Sequence, residues 1–265
     1  ERTFTSCEEM LKLPEIDAVS VCTWNAAHAP CTIAALNAGK HVLCEKPMAI
    51  SAEQAREMQA AAEENGVVLM VGFVRRFGND CAVLKDFIEA GELGEIYYAK
   101  ATAIRRRAVP TWGVFPNKAL QGGGPLIDIG THALDMTLWM MDNYEPVSVT
   151  GSVFYKLGNL QQATEGNMFG PWDPETYEVE DSAFGMIKFK NGAAIQLEAS
   201  WALNVQTSRE ASTTLCGTKA GAEVYSGMSF PNNKLIINRG HNGMLTDEEV
   251  CGAGNVAVSY THLRA

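Results

Sequence analysis

The chain carries no long hydrophobic run, no surplus of positive charge and no closely paired cysteines. Its unbroken apolar stretches are short, Val67-Val68-Leu69-Met70-Val71 being typical, whereas a membrane-spanning helix needs about 20 apolar residues in succession. No membrane partner is therefore expected. The opening residues show no basic-then-apolar leader, so no secretory signal is expected either. Lys and Arg total 21 against 31 Asp and Glu, a net charge of −10. That balance argues against a general nucleic-acid binder, because phosphate contacts demand a basic face. The cluster Arg105-Arg106-Arg107 is too short to reverse it and reads most simply as a solvated strand end. The 7 cysteines stand at positions 7, 22, 31, 44, 81, 216 and 251, with no CxxC among them. Neither a disulfide framework nor a thiolate zinc site is indicated, no metal is expected, and a reduced, cytoplasmic protein is. Cys22 and Cys44 fall in apolar strand-like runs and are expected in the core.

A glycine-rich phosphate loop is also missing. No GxGxxG follows an apolar strand, and Gly122-Gly123-Gly124 has neither the position nor the spacing of that fingerprint. A dinucleotide fold would then have its phosphate-binding strand and turn before Glu1. Both ends read as cut, since the first residue is not Met and residues 258–265 follow no periodicity and resemble a non-native tail.

What is present is an ordinary globular composition, 265 residues with 46% apolar and 20% charged, enough for one large domain or two small ones. A β-branched run at 17–23 reads as a buried parallel strand. Helix formers at 27–38 stop at Gly39, and 41–44 is the next strand. Ser51 opens, with capping-box spacing, a helix to Asn65 that Gly66 closes, and 67–73 is a third strand. The β-α-β-α-β order implies a parallel sheet with right-handed crossovers. Ligands of such sheets lie beyond the carboxyl ends of the strands. Asn25, the Glu45-Lys46-Pro47 turn and Arg75-Arg76 all follow strand ends and are expected to converge on one edge.

From about residue 80 the texture changes. A helix is read at 80–90, a strand at 95–104 and a strong helix at 125–141. Strand-like runs follow at 147–155, 182–190, 193–201, 212–217 and 234–237, with Asn191-Gly192 as a hairpin signal. The fold class is a partial Rossmann-type parallel α/β sheet (1–76), followed by a second α+β domain (77–265) with a large, mostly antiparallel sheet. Residues 158–180 form a long turn-rich loop, which suits a lid, a binding loop or an oligomer arm.

The helix read from Pro125 carries the sharpest chemistry. Gly124 suits the cap and Pro125 the first helical position. At the α-helical angle per residue, Asp128, His132 and Asp135 fall within about 60° of one another. Ile127, Leu134, Leu138 and Met141 form a separate apolar stripe. A carboxylate in the first turn is favoured by the helix dipole, and a histidine one turn on suits proton transfer near neutrality. The spacing alone equally fits a capping Asp and a surface His. An Asp-His pair can also bind metal, but no third ligand declares itself.

Three segments then combine. Asn25-Ala26-Ala27-His28 leads into Gly39-Lys40-His41-Val42-Leu43-Cys44-Glu45-Lys46-Pro47. Val71-Gly72-Phe73 with Arg75-Arg76-Phe77 is followed by Gly91-Glu92-Leu93-Gly94. Last comes Gly122-Gly123-Gly124-Pro125-Leu126-Ile127-Asp128-Ile129-Gly130-Thr131-His132. In order and spacing, over roughly residues 17–201, this resembles the Gfo/Idh/MocA family of nicotinamide-dependent sugar and cyclitol oxidoreductases. Trp24 is a departure, standing where the family often has proline.

The resemblance implies that Lys46, Asp128 and His132 surround the reacting carbon. His132 would be the acid/base, Lys46 a cation for the substrate oxygen, and Asp128 the group that orients His132 or binds a substrate hydroxyl. Thr23, Asn25, His28, Glu45, Lys46 and Pro47 would lie on the cofactor side, with Lys46–Pro47 cis. For His28, a helix-capping role is the competing reading. Arg75, Arg105, Trp112 and Asp128 would line the substrate cavity. The implied activity is hydride transfer between NAD or NADP and a hydroxyl carbon of a sugar, polyol or cyclitol. A redox-neutral glycosidase or epimerase-type reaction and a non-catalytic NAD(P)-binding sensor are the alternatives. The implied partners are a small-molecule substrate and a second copy of the chain, as a homodimer or homotetramer through the second-domain sheet. The residue that separates NAD from NADP would precede Glu1.

Overall fold

Strand, helix and strand alternate through the first seventy-odd residues of the computed structural model, which describes residues 2–226 and 234–250. Cys251 and the tail at 258–265 lie outside the described residues. In chain order the helices are α1 (Cys7–Leu11), α2 (Asn25–Asn37), α3 (Ala52–Asn65), α4 (Asn79–Glu89), α5 (Lys118–Gln121) and α6 (Thr131–Met141). The strands are β1 (Ala18–Val21), β2 (His41–Cys44), β3 (Leu69–Val71), β4 (Ile96–Ile104), β5 (Pro146–Phe154), β6 (Ser182–Phe189), β7 (Ala194–Ser200), β8 (Arg209–Gly217), β9 (Ala220–Ser226), β10 (Lys234–His241) and β11 (Met244–Glu249). They fall into two units, Glu1–Phe73 with Trp112–Gly123, and Val74–Thr111 with Gly124–Ala265.

The first unit holds a parallel sheet in the order β1-β2-β3. Local chemistry sets its boundaries. The Ser51 hydroxyl accepts the Gln54 amide at 3.3 Å to start α3, and Gly66 ends that helix at φ 63, where a side chain would be strained. Leu36, Val42, Cys44, Met58 and Ala61 form the core. Cys44 is buried as expected, and burial pushes its thiol up to about 11. Cys22 is not in the core: β1 stops at Val21, so the next residue is already past the sheet and exposed.

The second unit is built on an eight-stranded sheet in the order β11-β10-β9-β8-β4-β7-β6-β5, antiparallel except where β4 meets β7. Small residues let α6 settle on it. Ala99, Ala101 and Ala103 of β4 alternate with polar neighbours, and across the ladder Ala101 sits opposite Thr213 and Leu197. Thr213 meets Thr137 of α6 hydroxyl to hydroxyl at 2.8 Å. The other face presents Lys100, Thr102, Glu198, Ser212, Thr214 and Glu223.

Two strands escaped the sequence reading. β9, of 7 residues, opens Ala-Gly-Ala, and β11 is acidic. Asn242-Gly243, both at positive φ (51 and 76), turns β10 into β11 and was a legible hairpin signal.

Asp135 of α6 is buried, and the Arg76 guanidinium grips it in bidentate fashion, Nε donating to Oδ2 at 2.8 Å and Nη2 to Oδ1. Burial nevertheless raises the Asp135 pKa, with Arg76 opposing the shift. A carboxyl so raised carries its full cost in stability above its folded pKa, and that cost fades as the pH falls toward the unfolded value. Arg76→Met, which orphans the charge, should lower unfolding free energy by about 2–3 kcal/mol at pH 7, below the range for fully buried pairs because Arg76 is partly solvated. The deficit should shrink as the pH falls through the Asp135 pKa, as read by urea denaturation at several pH values.

Candidate active site

In the first unit, two turns leave the carboxyl ends of neighbouring parallel strands, Thr23-Trp24 after β1 and Glu45-Lys46-Pro47 after β2. His28, 1% exposed, ties them together. Its Nδ1 lies 2.7 Å from the Pro47 carbonyl and its Nε2 3.1 Å from the Thr23 carbonyl. With both nitrogens facing protein carbonyls, His28 shapes this edge as a brace between the two turns. Lys46–Pro47 is cis, as the family resemblance implies. The Glu45 carboxylate accepts the Lys46 backbone amide at 3.2 Å, and Lys46 itself is half-buried. Thr23 is exposed, and so is Trp24.

Asn25 opens α2 and is buried. Its Nδ2 donates to the Gln121 carbonyl at 3.0 Å, and its backbone N–H donates to Gln121 Oε1 at 3.4 Å. Asn25 thus anchors the segment 112–123. Sequence reasoning missed Gln121, because nothing local marks a contact 96 residues away. In that segment Trp112 is exposed and meets Phe115 edge to face at 5.7 Å.

In the second unit, the expected continuous α-helix from Pro125 does not form. Leu126–Gly130 is a π-helical turn, and α6 starts only at Thr131. The wider turn leaves carbonyls off the α ladder, and the Thr131 hydroxyl lies 3.1 Å from those of both Ile127 and Asp128. Gly130 rests on the sheet, where a Cβ would stand 3.0 Å from that of Ala199. A π-helical turn thus stands between Asp128 and His132 in place of regular α-helix. Such turns recur at functional sites.

Asp128 is buried, and its Oδ2 accepts the indole N–H of Trp201 at 2.9 Å. His132, in the first turn of α6, is half-buried. Two adjacent carboxylates secure the surroundings. Glu180 accepts the Gly124 amide at 2.9 Å and the Leu126 amide at 3.3 Å. Asp181 Oδ2 takes the amides of Lys156, Leu157 and Gly158, the last two at 2.7 and 3.1 Å. Gly124 is obligatory, since a Cβ there would lie 2.1 Å from the Glu180 carbonyl oxygen.

Arg105 is held by partners within the protein. Its guanidinium is spent on a bidentate pair with Glu210 and on the Ala108 carbonyl at 3.0 Å, although it lines a cleft of about 640 Å³ with Arg106, Arg107 and Met168. Arg75 sits in the 3-10 turn Val74–Phe77, with Asp80 as a neighbouring carboxylate. Among the described residues no group of three or more His, Cys, Asp or Glu could hold a metal, and no helix is long and apolar enough to cross a membrane.

Comparison with known proteins accounts for this arrangement. Residues 1–73 match a family described as "Oxidoreductase family, NAD-binding Rossmann fold", and residues 81–223 match the GFO/IDH/MocA C-terminal domain. The chain belongs to the Gfo/Idh/MocA oxidoreductase family. One relative within it is D-glucoside 3-dehydrogenase of Escherichia coli (strain K12), 46% identical over 226 residues, covering 85% of this chain and 64% of that protein. Levoglucosan dehydrogenase of Pseudarthrobacter phenanthrenivorans is 31% identical over 211 residues, covering 75% of this chain and 53% of that one. Its namesake solved with NADH and levoglucosan has a TM-score of 0.77 at 25% identity, covering 93% of this chain and 64% of that chain. The chain thus spans about half to two-thirds of the length of these family members.

Glu180→Gln keeps the size of the side chain but turns an NH₂ toward an amide donor. It should cost about 1–3 kcal/mol of stability, the penalty for an unsatisfied buried group, as read by chemical denaturation.

Proposed function

We propose that the chain catalyses NAD(P)-dependent dehydrogenation at a hydroxyl carbon of a sugar, polyol or cyclitol. The observation that carries this reading is Asp128, buried and indole-bound on a π-helical turn that runs directly into His132. Relatives named for glucosides, levoglucosan and inositols support a hydroxyl-rich ring as substrate.

The turns after β1 and β2 suit a nicotinamide nucleotide. Glu45 supplies a carboxylate for ribose hydroxyls, and Thr23 and Lys46 stand with it at the carboxyl edge of the parallel sheet. Bound there, nicotinamide supplies the acceptor for the hydride. His132 takes the hydroxyl proton at an imidazole nitrogen, and returns it in the reverse direction. Lys46 offers an ammonium to the substrate oxygen as it gains alkoxide character. Asp128 orients His132 or holds a neighbouring hydroxyl. Asn25, His28 and Pro47 support the cofactor edge, while Trp112 and Arg75 stand as substrate contacts. Buried thiols such as Cys44 and Cys81 accord with a reducing, cytoplasmic setting.

In the holoenzyme, His132→Ala should lower kcat by about 10²–10⁴-fold with little change in cofactor affinity. The rise of oxidation rate with pH near neutrality should disappear with it, because only neutral imidazole accepts a proton. Retention of more than about half of kcat would refute the assignment. Turnover of sugar with no net change in NADH absorbance would instead favour the redox-neutral alternative.

The polar outer face of the large sheet is the proposed contact with a second copy, in a homodimer or homotetramer. Light scattering at micromolar concentration should then report a multiple of the monomer mass, and a monomer would refute it.

A further inference from the structure

We propose that Trp201 is a positioning residue for the reaction, its indole N–H fixing the orientation of the Asp128 carboxylate. This rests on the reading of Asp128 as a catalytic group. The donor and the acceptor are 73 residues apart in sequence, and both are buried. Trp201 has no solvent exposure. It follows the last residue of β7, and its backbone is held on both sides: its N–H donates to the Asp181 carbonyl at 3.2 Å, and its carbonyl accepts the Ala108 amide at 3.0 Å.

The ring is held as well. Tyr177 packs edge to face against it, with centroids 6.5 Å apart and planes at 87°. Trp172 packs on Tyr177 at 6.2 Å and donates its own indole N–H to the Gly158 carbonyl at 2.7 Å. The space for Tyr177 exists because residue 158 is glycine, since a Cβ there would fall 2.3 Å from the phenol ring. The indole therefore has one place to be, and its single donor has one direction.

The consequence for Asp128 is specific. A π-helical turn gives its side chain less regular support than an α-helix would, and a carboxylate can rotate about its terminal bond. A charge-assisted hydrogen bond from a rigid indole to Oδ2 selects one plane for that carboxylate. The strand end, and through it the aromatic stack of the long loop, then determines where the carboxylate aims. Catalytic groups lose large factors in rate when misplaced by as little as an ångström, which is why such support matters.

The test uses the holoenzyme and Trp201→Phe, which keeps the ring and deletes the N–H. kcat should fall about 10–100-fold, the loss associated with one hydrogen bond to a charged group, while substrate KM and cofactor Kd stay within about twofold. In an Asp128→Ala background, the same substitution should cost less than about twofold further, because its target is gone. A role in packing alone predicts the same loss in both backgrounds and would overturn the proposal. So would a Trp201→Phe enzyme that keeps more than half of wild-type kcat while Asp128→Ala is slow. If Asp128→Ala is itself fully active, the underlying reading of Asp128 fails, and this inference falls with it for a distinguishable reason. Should Trp201→Phe not fold, the indole N–H resonance of Trp201 in ¹⁵N-tryptophan-labelled protein decides the contact. Its displacement in Asp128→Ala supports the proposal, and an unmoved signal overturns it.

Discussion

Two neighbouring carboxylates, Glu180 and Asp181, impose the constraint on which much of the second unit depends. An anion can be buried only if its lone pairs are satisfied, and here backbone amides satisfy both. One carboxylate reaches the start of the π-helical turn at Gly124 and Leu126, and the other the start of the long loop at 156–158. Asp181 also accepts the Ser182 hydroxyl, whose partner is Ser200 at the end of β7, one residue before Trp201. A single dipeptide thus sets the entry to the Asp128 turn and the root of the loop, and borders the strand end that supplies the indole.

The first unit solves a related problem with an imidazole ring. Two strand-end turns must hold their shape without a sheet to pair them, and His28 lies between their carbonyls. Because it sits on α2, the helix that follows β1, movement of either turn would have to drag a buried imidazole with it. Asn25, three residues earlier on the same helix, fastens the returning segment at 112–123. The chemistry-bearing edge is thereby governed from α2.

Much of this was legible in the sequence, and the reasons are local. β2 was bounded to the residue because a short apolar run stands between a glycine turn and a proline turn. Ser51 and Gly66 announced α3 by capping chemistry that needs no tertiary context. The π-helical turn was not legible, because its extra width is stabilised by the fit of Gly130 on Ala199 and by Glu180, both distant in sequence. For the same reason nothing near Arg105 revealed that Glu210 would consume its charge. Asp135 shows the limit of periodicity: its helical spacing from His132 was sound, yet its carboxylate answers to Arg76. In the first unit the motif Asn25-Ala26-Ala27-His28 was noticed for the cofactor, while its side chains hold the scaffold together.

The long loop at 158–180 illustrates a separation of tasks. Its two ends are tied through Gly158 and through Glu180-Asp181, and Trp172 and Tyr177 plug it into the body of the unit. The stretch around residues 165–170, by contrast, is attached mainly by backbone and amide contacts, such as Asn167 with Val109 and Gly170. Those contacts depend on the Asn167 side chain and on backbone groups of its partners, and so tolerate changes of side chain at the positions around Asn167. Insertions or replacements there would reshape the surface offered to a ligand while the anchors, and the carboxylate they aim, stay in place. Such a loop is a natural site of divergence among relatives that share one reaction and differ in the molecules they accept.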